Sequence, residues 1–112
     1  VSSPLSGLRA WIVQRVTAVY VAAFLVYAAA YLMLAPPVSF EAWRAWVGSP
    51  AISVASALFF GALLLHAWIG IRDVVLDYVH PLPLRFVILV GVGLALVAQG
   101  IWVLRILYGA VA

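Results

Sequence analysis

The sequence predicts an all-α membrane protein: three transmembrane helices in an antiparallel bundle, with a short interfacial helix in the outside loop. Composition is the first reason. Of the 112 residues 69% are hydrophobic, mean hydropathy is +1.26, and nine charged side chains are too few to cover a water-facing surface of this size. Segment length is the second. Apolar stretches at about 11–34, 51–71 and 84–108 each exceed the ~20 residues needed to cross a ~30 Å hydrocarbon core as a helix. The third is the placement of the six arginines, which are the only basic residues apart from histidine. Arg9, Arg15, Arg72 and Arg85 fall on one side of a three-span chain, and Arg44 and Arg105 on the other. By the positive-inside rule the N-terminus and the 72–85 connection are cytoplasmic, and the 35–50 loop and C-terminus lie outside.

The first span is too long for a secretory signal and runs into Pro36-Pro37 without a cleavage motif. Its stripe of Tyr20, Phe24, Tyr27 and Tyr31 has helical spacing and reads as packing or lipid contact. In the outside loop, "LAPPVSFEAWRAWVGSP", two prolines stop the span, and Ser39 offers an N-cap to a short helix whose Trp43 and Trp46 suit the headgroup layer. Ser49-Pro50 repeats the cap-then-proline signal, so the second span begins at 50 and can continue to about 79, before Pro81. About 30 residues give roughly 45 Å of helix, enough to carry two turns beyond the hydrocarbon. The third span, 84–108, holds Gly91 and Ala95 at the spacing of close helix packing, and a mid-span Gln99. With three spans, short loops and no internal repeat, residues 1–112 form one domain.

Cysteine is absent, which excludes disulfides, thiolate metal sites and cysteine-ligated clusters within this chain. The net charge of +3 is scattered over the membrane flanks with no basic cluster, so it reads as topology and not as nucleic-acid binding.

Chemistry concentrates in "LLLHAWIGIRDVVLDYVHP", residues 63–81. His66 stands six residues before the charged end of the second span, about 9 Å into the apolar layer. An ionisable group there needs a partner or a task. It is either a neutral imidazole bonded between helices or a cofactor ligand. Ala62 and Gly70, at i−4 and i+4, are small enough to leave a flat slot on either side of the ring, although small residues also let helices pack closely. Haem iron is often held by axial histidines. His80, fourteen residues on, lies about 21 Å away by helical rise and cannot share one iron with His66. A bis-histidine haem would take its second ligand from another polypeptide.

Arg15 enters the first span at nearly the same depth as His66. It either snorkels to the headgroups or pairs with carboxylates such as haem propionates. Asp77 and Tyr78 place a carboxylate beside a phenol at the membrane boundary. Each is at home there as a helix-end charge and an aromatic anchor. Together they also provide the donor and proton source that a quinone carbonyl requires. Asp77 falls on the His66 face, whereas Tyr78 is turned about 100° further round.

"HAWIGIRDVVLDYVHP", with Asp-Tyr eleven and twelve residues after the histidine and then proline, resembles the small haem-bearing membrane anchor, of cytochrome b type, of bacterial succinate dehydrogenase (succinate:quinone oxidoreductase). "QRVTA" in the first span is similar to that family's arginine-containing start of helix one, and the resemblance covers nearly the whole chain. It implies that His66 is an axial ligand of haem b shared with a second membrane anchor. It further implies that Arg15 lies near the haem propionates, that Tyr78 binds a quinone carbonyl and that Asp77 supports that site. The implied partners are the second membrane anchor, the iron–sulfur subunit, the flavoprotein subunit and membrane lipid. Electrons would run from succinate to ubiquinone at the bacterial cytoplasmic (inner) membrane, with this chain a noncatalytic subunit. His80 stands where the family is expected to carry a basic residue such as lysine. Alternatives are the anchor of a fumarate reductase, which shares this architecture, a small proton-relay or transport subunit using His66 and Asp77, and a scaffold without cofactor.

Overall fold

The computed structural model describes the backbone of residues 4–112 and the side chains from Gly7 onward. Residues 1–3 of the expected 1–112 domain lie outside the described residues. Four helices follow in order: α1 (Pro4–Leu34), α2 (Phe40–Val47), α3 (Pro50–Tyr78) and α4 (Leu82–Val111). No strand occurs among the described residues. Three of the helices are long and apolar enough to span a membrane, as expected, and the short α2 lies in the first connection.

The long helices overrun the hydropathy boundaries. Helix α1 starts at Pro4 instead of near 11, and α4 runs over Leu82–Val111 instead of 84–108. Apolar composition marks the part of a helix that suits hydrocarbon, whereas the hydrogen-bond ladder continues until a proline or a competing partner ends it. Helix α3 ends at Tyr78, where Val79 turns extended (φ −104°, ψ 106°). Pro81 disfavours helical geometry at His80, and that restriction closes the helix just ahead of it. His80 therefore sits in the turn beyond α3 and not on the same helix as His66.

Ser39 caps α2 as expected: its hydroxyl accepts from the Ala42 N–H at 3.1 Å. Ser49 does not repeat this. Its hydroxyl donates instead to the Trp46 carbonyl at 2.7 Å, tying α2 to the start of α3 and leaving Pro50 alone to open that helix. Proline at the first helical position brings a fixed φ and has no N–H to leave unsatisfied.

Helix α3 is central. It packs against α1 on one side and α4 on the other, while the backbones of α1 and α4 nowhere come together among the described residues. The bundle is thus an open row, 52 × 25 × 21 Å, with α2 resting across α3 and α4 at one end. Phe24 of α1 stacks on Phe59 of α3 with centroids 4.6 Å apart, and the Tyr20 hydroxyl donates to the Ala55 carbonyl at 2.8 Å. Tyr31 stacks almost parallel on Trp46 of α2, at 4.6 Å. The aromatic stripe of α1 is a packing surface.

Between α3 and α4 the small residues are Gly93 and Gly100, and the pair Gly91 and Ala95 lies outside this seam. A Cβ on Gly93 would lie 3.7 Å from the Trp68 ring, and one on Gly100 would lie 3.1 Å from Leu64. Gly91 meets nothing within 4 Å, and the Gly91, Ala95 and Gln99 stripe is exposed. Glycines two residues apart point some 200° apart on a helix, so sequence spacing alone leaves the packed face undecided.

Two arginines close helix ends from neighbouring elements. Arg44 of α2 donates to the backbone oxygens of Gly109 and Ala112 at 2.9 and 2.8 Å. Arg85 of α4 donates through Nε to Val79 at 2.9 Å and through Nη2 to Leu76 at 3.1 Å. Both place a cation on carbonyls that have no partner within their own helix, at the negative end of its dipole.

Candidate functional site

Helices α1 and α3 run antiparallel, which brings the start of the first against the end of the second. His66 meets Thr17 here: Nδ1 lies 3.0 Å from the Thr17 hydroxyl oxygen. Thr17 is buried, and its hydroxyl is also 2.6 Å from the Val13 carbonyl and 3.3 Å from that of Gln14. The other ring nitrogen, Nε2, makes no hydrogen bond among the described residues. His66 itself is half-buried, and one of its nitrogens is engaged inside the chain while the other has no partner among the described residues.

The slot expected beside the imidazole is only partly open. Gly70 faces α1, where a Cβ would stand 3.7 Å from Nε2 of Gln14. Gln14 and Thr17 thus occupy the groove in which α1 crosses the His66 face, and Gly70 lets α1 approach. Oε1 of Gln14 and Nε of Arg72 are buried and have no hydrogen-bond partner among the described residues.

Arg15 is not brought to His66. It lies two residues before Thr17, about 200° round α1. It is exposed, with its guanidinium 5.5 Å from the centre of the Trp11 ring. This is a cation–π contact in which the hydrogen-bond donors remain free to meet an anion.

Asp77 and Tyr78 form the last turn of α3, and both are exposed, Tyr78 at 77%. The Arg85 guanidinium grips the same turn through Leu76 and Val79, on either side of this pair in sequence. Arg72 pairs with Asp73 at 3.2 Å one turn earlier, so Asp73 is engaged, whereas Asp77 makes no ion pair among the described residues.

An apolar cavity of about 420 Å³ lies on the opposite side of α3, lined by Leu64, Leu65, Trp68, Gly93, Val97 and Gly100 among others. It carries no convergent polar group, so it lacks what orients a redox head group, and it does not contain His66 or Tyr78. No cluster of three metal-ligating side chains exists among the described residues.

Thr17, Gln14 and Arg85 were not singled out as site residues from sequence. Thr17 lies 49 residues from His66, and no local pattern reports that contact. Arg85 had a visible cue, a cation shortly after a helix end, but its role depends on α4 folding back onto α3.

Comparison with known proteins identifies a family for the chain as a whole. The profile of the family described as "Succinate dehydrogenase/Fumarate reductase transmembrane subunit" matches residues 1–103. A "Succinate dehydrogenase hydrophobic membrane anchor subunit" from Coxiella burnetii (strain RSA 493 / Nine Mile phase I) is 30% identical over 102 residues, covering 91% of this chain and 89% of its own length.

Proposed function

Starting from the fact that this chain belongs to the succinate dehydrogenase/fumarate reductase transmembrane subunit family, as a noncatalytic membrane anchor, we propose that it carries half of a haem b site and part of a quinone site. The name of the Coxiella burnetii relative favours succinate oxidation over fumarate reduction. A second membrane anchor would supply the other axial ligand. The iron–sulfur and flavoprotein subunits would dock at the end of the molecule carrying Asp77 and Tyr78, on the cytoplasmic side of the bacterial inner membrane.

The observation that carries the haem reading is the asymmetry of His66. Its Nδ1 is occupied by Thr17 inside the chain, while Nε2 has no bond among the described residues. A metal-binding imidazole needs this arrangement, in which one nitrogen is oriented by a hydrogen bond and the other is available to the metal. His66 fits the group as a single axial ligand. His66 would hold the iron through Nε2, and Arg15, whose donors meet no acceptor among the described residues, would bind a propionate arriving at the outer face of α1. Because Arg15 and Thr17 lie on opposite faces of α1, the propionate assignment makes the stricter demand of the two. When bound, the haem would supply a one-electron redox centre.

At the quinone site the Tyr78 O–H would donate to a carbonyl of ubiquinone. The Asp77 carboxylate, free of an ion pair among the described residues, would pass a proton toward the reduced oxygen. Arg85 holds this turn in helical form, which keeps phenol and carboxylate at a fixed height relative to the membrane.

The test is a dithionite-reduced minus oxidised visible spectrum of the complex drawn from native membranes in mild detergent through a tag on this chain. A b-type signal that His66→Ala removes or perturbs is the expected result. An unchanged spectrum in that variant would eliminate His66 as a ligand, and a colourless wild-type complex would eliminate the haem.

A further inference from the structure

Thr17 has one hydroxyl proton and three acceptors around it: the Val13 carbonyl at 2.6 Å, His66 Nδ1 at 3.0 Å and the Gln14 carbonyl at 3.3 Å. A hydroxyl donates once and accepts through its lone pairs. The shortest contact, to the carbonyl one turn back in the same helix, is the usual bond of a helical threonine and takes the proton. The oxygen then faces Nδ1 with lone pairs only, and a neutral imidazole can satisfy it only by carrying its proton on Nδ1.

We infer that Thr17 is the positioning residue of His66: by accepting from Nδ1–H it selects the imidazole tautomer whose Nε2 lone pair is free, and it fixes the ring plane from a second helix. The inference rests on the haem reading of His66 and adds to it how the ligand is set up.

The energetics support a specific bond over incidental contact. Thr17 is 7% exposed and the pair lies within the membrane-spanning part of both helices. There an unmade hydrogen bond at either group goes uncompensated by water. The proton on Val13 also polarises the hydroxyl, which makes its oxygen a better acceptor. A ligand histidine that donates from its second nitrogen is a stronger electron donor to its metal, and loss of such a partner commonly costs ten- to a hundredfold in metal affinity. A stronger donor favours the ferric state, so the Thr17 bond would lower the midpoint potential of a haem held by His66.

Thr17→Val keeps the shape and deletes the hydroxyl. Thr17→Ala deletes it without any bulk, and serves if the valine complex does not assemble. Thr17→Ser keeps the hydroxyl. Each is compared with the unmutated complex by haem content per complex and by optical redox titration of the b-type signal.

The expected result is a positive shift of midpoint potential, loss of haem, or both in the hydroxyl-free variants, with serine close to the unmutated complex. A tenfold change in preference for ferric over ferrous iron reads as about 59 mV. Unchanged potential and haem content in the hydroxyl-free variants would overturn the inference, as would an equal shift in valine and serine, because serine keeps the hydroxyl and the effect would then lie in packing and not in the bond to His66. Failure of the underlying haem reading looks different: His66→Ala would then leave the spectrum as it was.

Discussion

His66 is polar on both sides of its ring in a stretch that is otherwise hydrocarbon, and the two nitrogens have different owners. One belongs to the fold through Thr17; the other has no hydrogen-bond partner among the described residues. Tyr78 belongs to the fold least of all, being exposed and free of hydrogen bonds among the described residues. Its hydroxyl is therefore available for a ligand, and removing it should not disturb assembly. Tyr78→Phe is expected to slow quinone reduction by roughly two- to tenfold, as loss of one hydrogen bond of ~0.5–1.5 kcal/mol implies. Succinate oxidation by a soluble artificial acceptor should continue at the unmutated rate, and equal loss in both assays would count against a quinone contact. At this scale the sequence showed which residues were anomalous. A lone imidazole, an arginine within a span and a carboxylate beside a phenol are legible because each is costly in lipid. Thr17 was invisible because threonine is unremarked in a transmembrane helix until something on another helix needs its oxygen.

At the scale of elements, two helix ends are fastened by an arginine that reaches from one helix to the carbonyls ending another. Removing Arg85 leaves the Leu76 and Val79 carbonyls without their cation at the end of α3. Arg85→Ala is expected to fray the last turn of α3 by about 1 kcal/mol, since both bonds lie near the surface. Faster hydrogen exchange at the amides of residues 75–79, with exchange in the middle of α3 unchanged, is the measurement. Quinone reduction should fall with it, because Asp77 and Tyr78 ride on that turn.

At the opposite end Gly48 is constrained by space, its φ of −82° being ordinary. A Cβ there would collide with the Ala110 carbonyl oxygen and stand 2.9 Å from its carbon. Gly48→Ala is expected to lift α2 off α4 and to strain the Tyr31–Trp46 stack. A drop of several degrees in the thermal midpoint, with a change in tryptophan emission, would register it. Helix starts and stops were legible from prolines and caps, apart from Ser49, whose hydroxyl found a nearer acceptor in Trp46. Which glycines of α4 face α3 was not legible, since Gly91 and Gly93 both sit in plausible small-residue patterns.

The whole molecule is a row of three helices with an apolar surface on both faces and no side chain fully enclosed among the described residues. Lipid can cover such a surface, but it cannot satisfy His66 Nε2, the Gln14 amide or the stripe of Gly91, Ala95 and Gln99, where another helix could lie close. The chain is accordingly expected to be markedly less stable alone than beside a second anchor. Co-expression with that anchor should raise the thermal midpoint in mild detergent, through binding to the folded state only. An isolated chain as stable as the complex would contradict this. The same openness argues against an autonomous transporter, so purified chain in liposomes should give no ion flux above background.

Composition, span lengths and loop prolines were enough to determine from sequence that the protein is a three-span membrane helix array with a short helix in the first connection, and the anomalous polar residues concentrate near one end of the second span. Those features are local or additive: each residue contributes its transfer free energy or its backbone restriction regardless of what packs against it. Tertiary structure alone decided that α3 is central, that Thr17 holds His66, that Arg85 closes the Asp77–Tyr78 turn, and that Arg15 faces away from the histidine. Each of these depends on how one helix is rotated against another. In a membrane that rotation is set by side-chain fit between neighbours, because hydrophobicity no longer distinguishes one apolar face from the next.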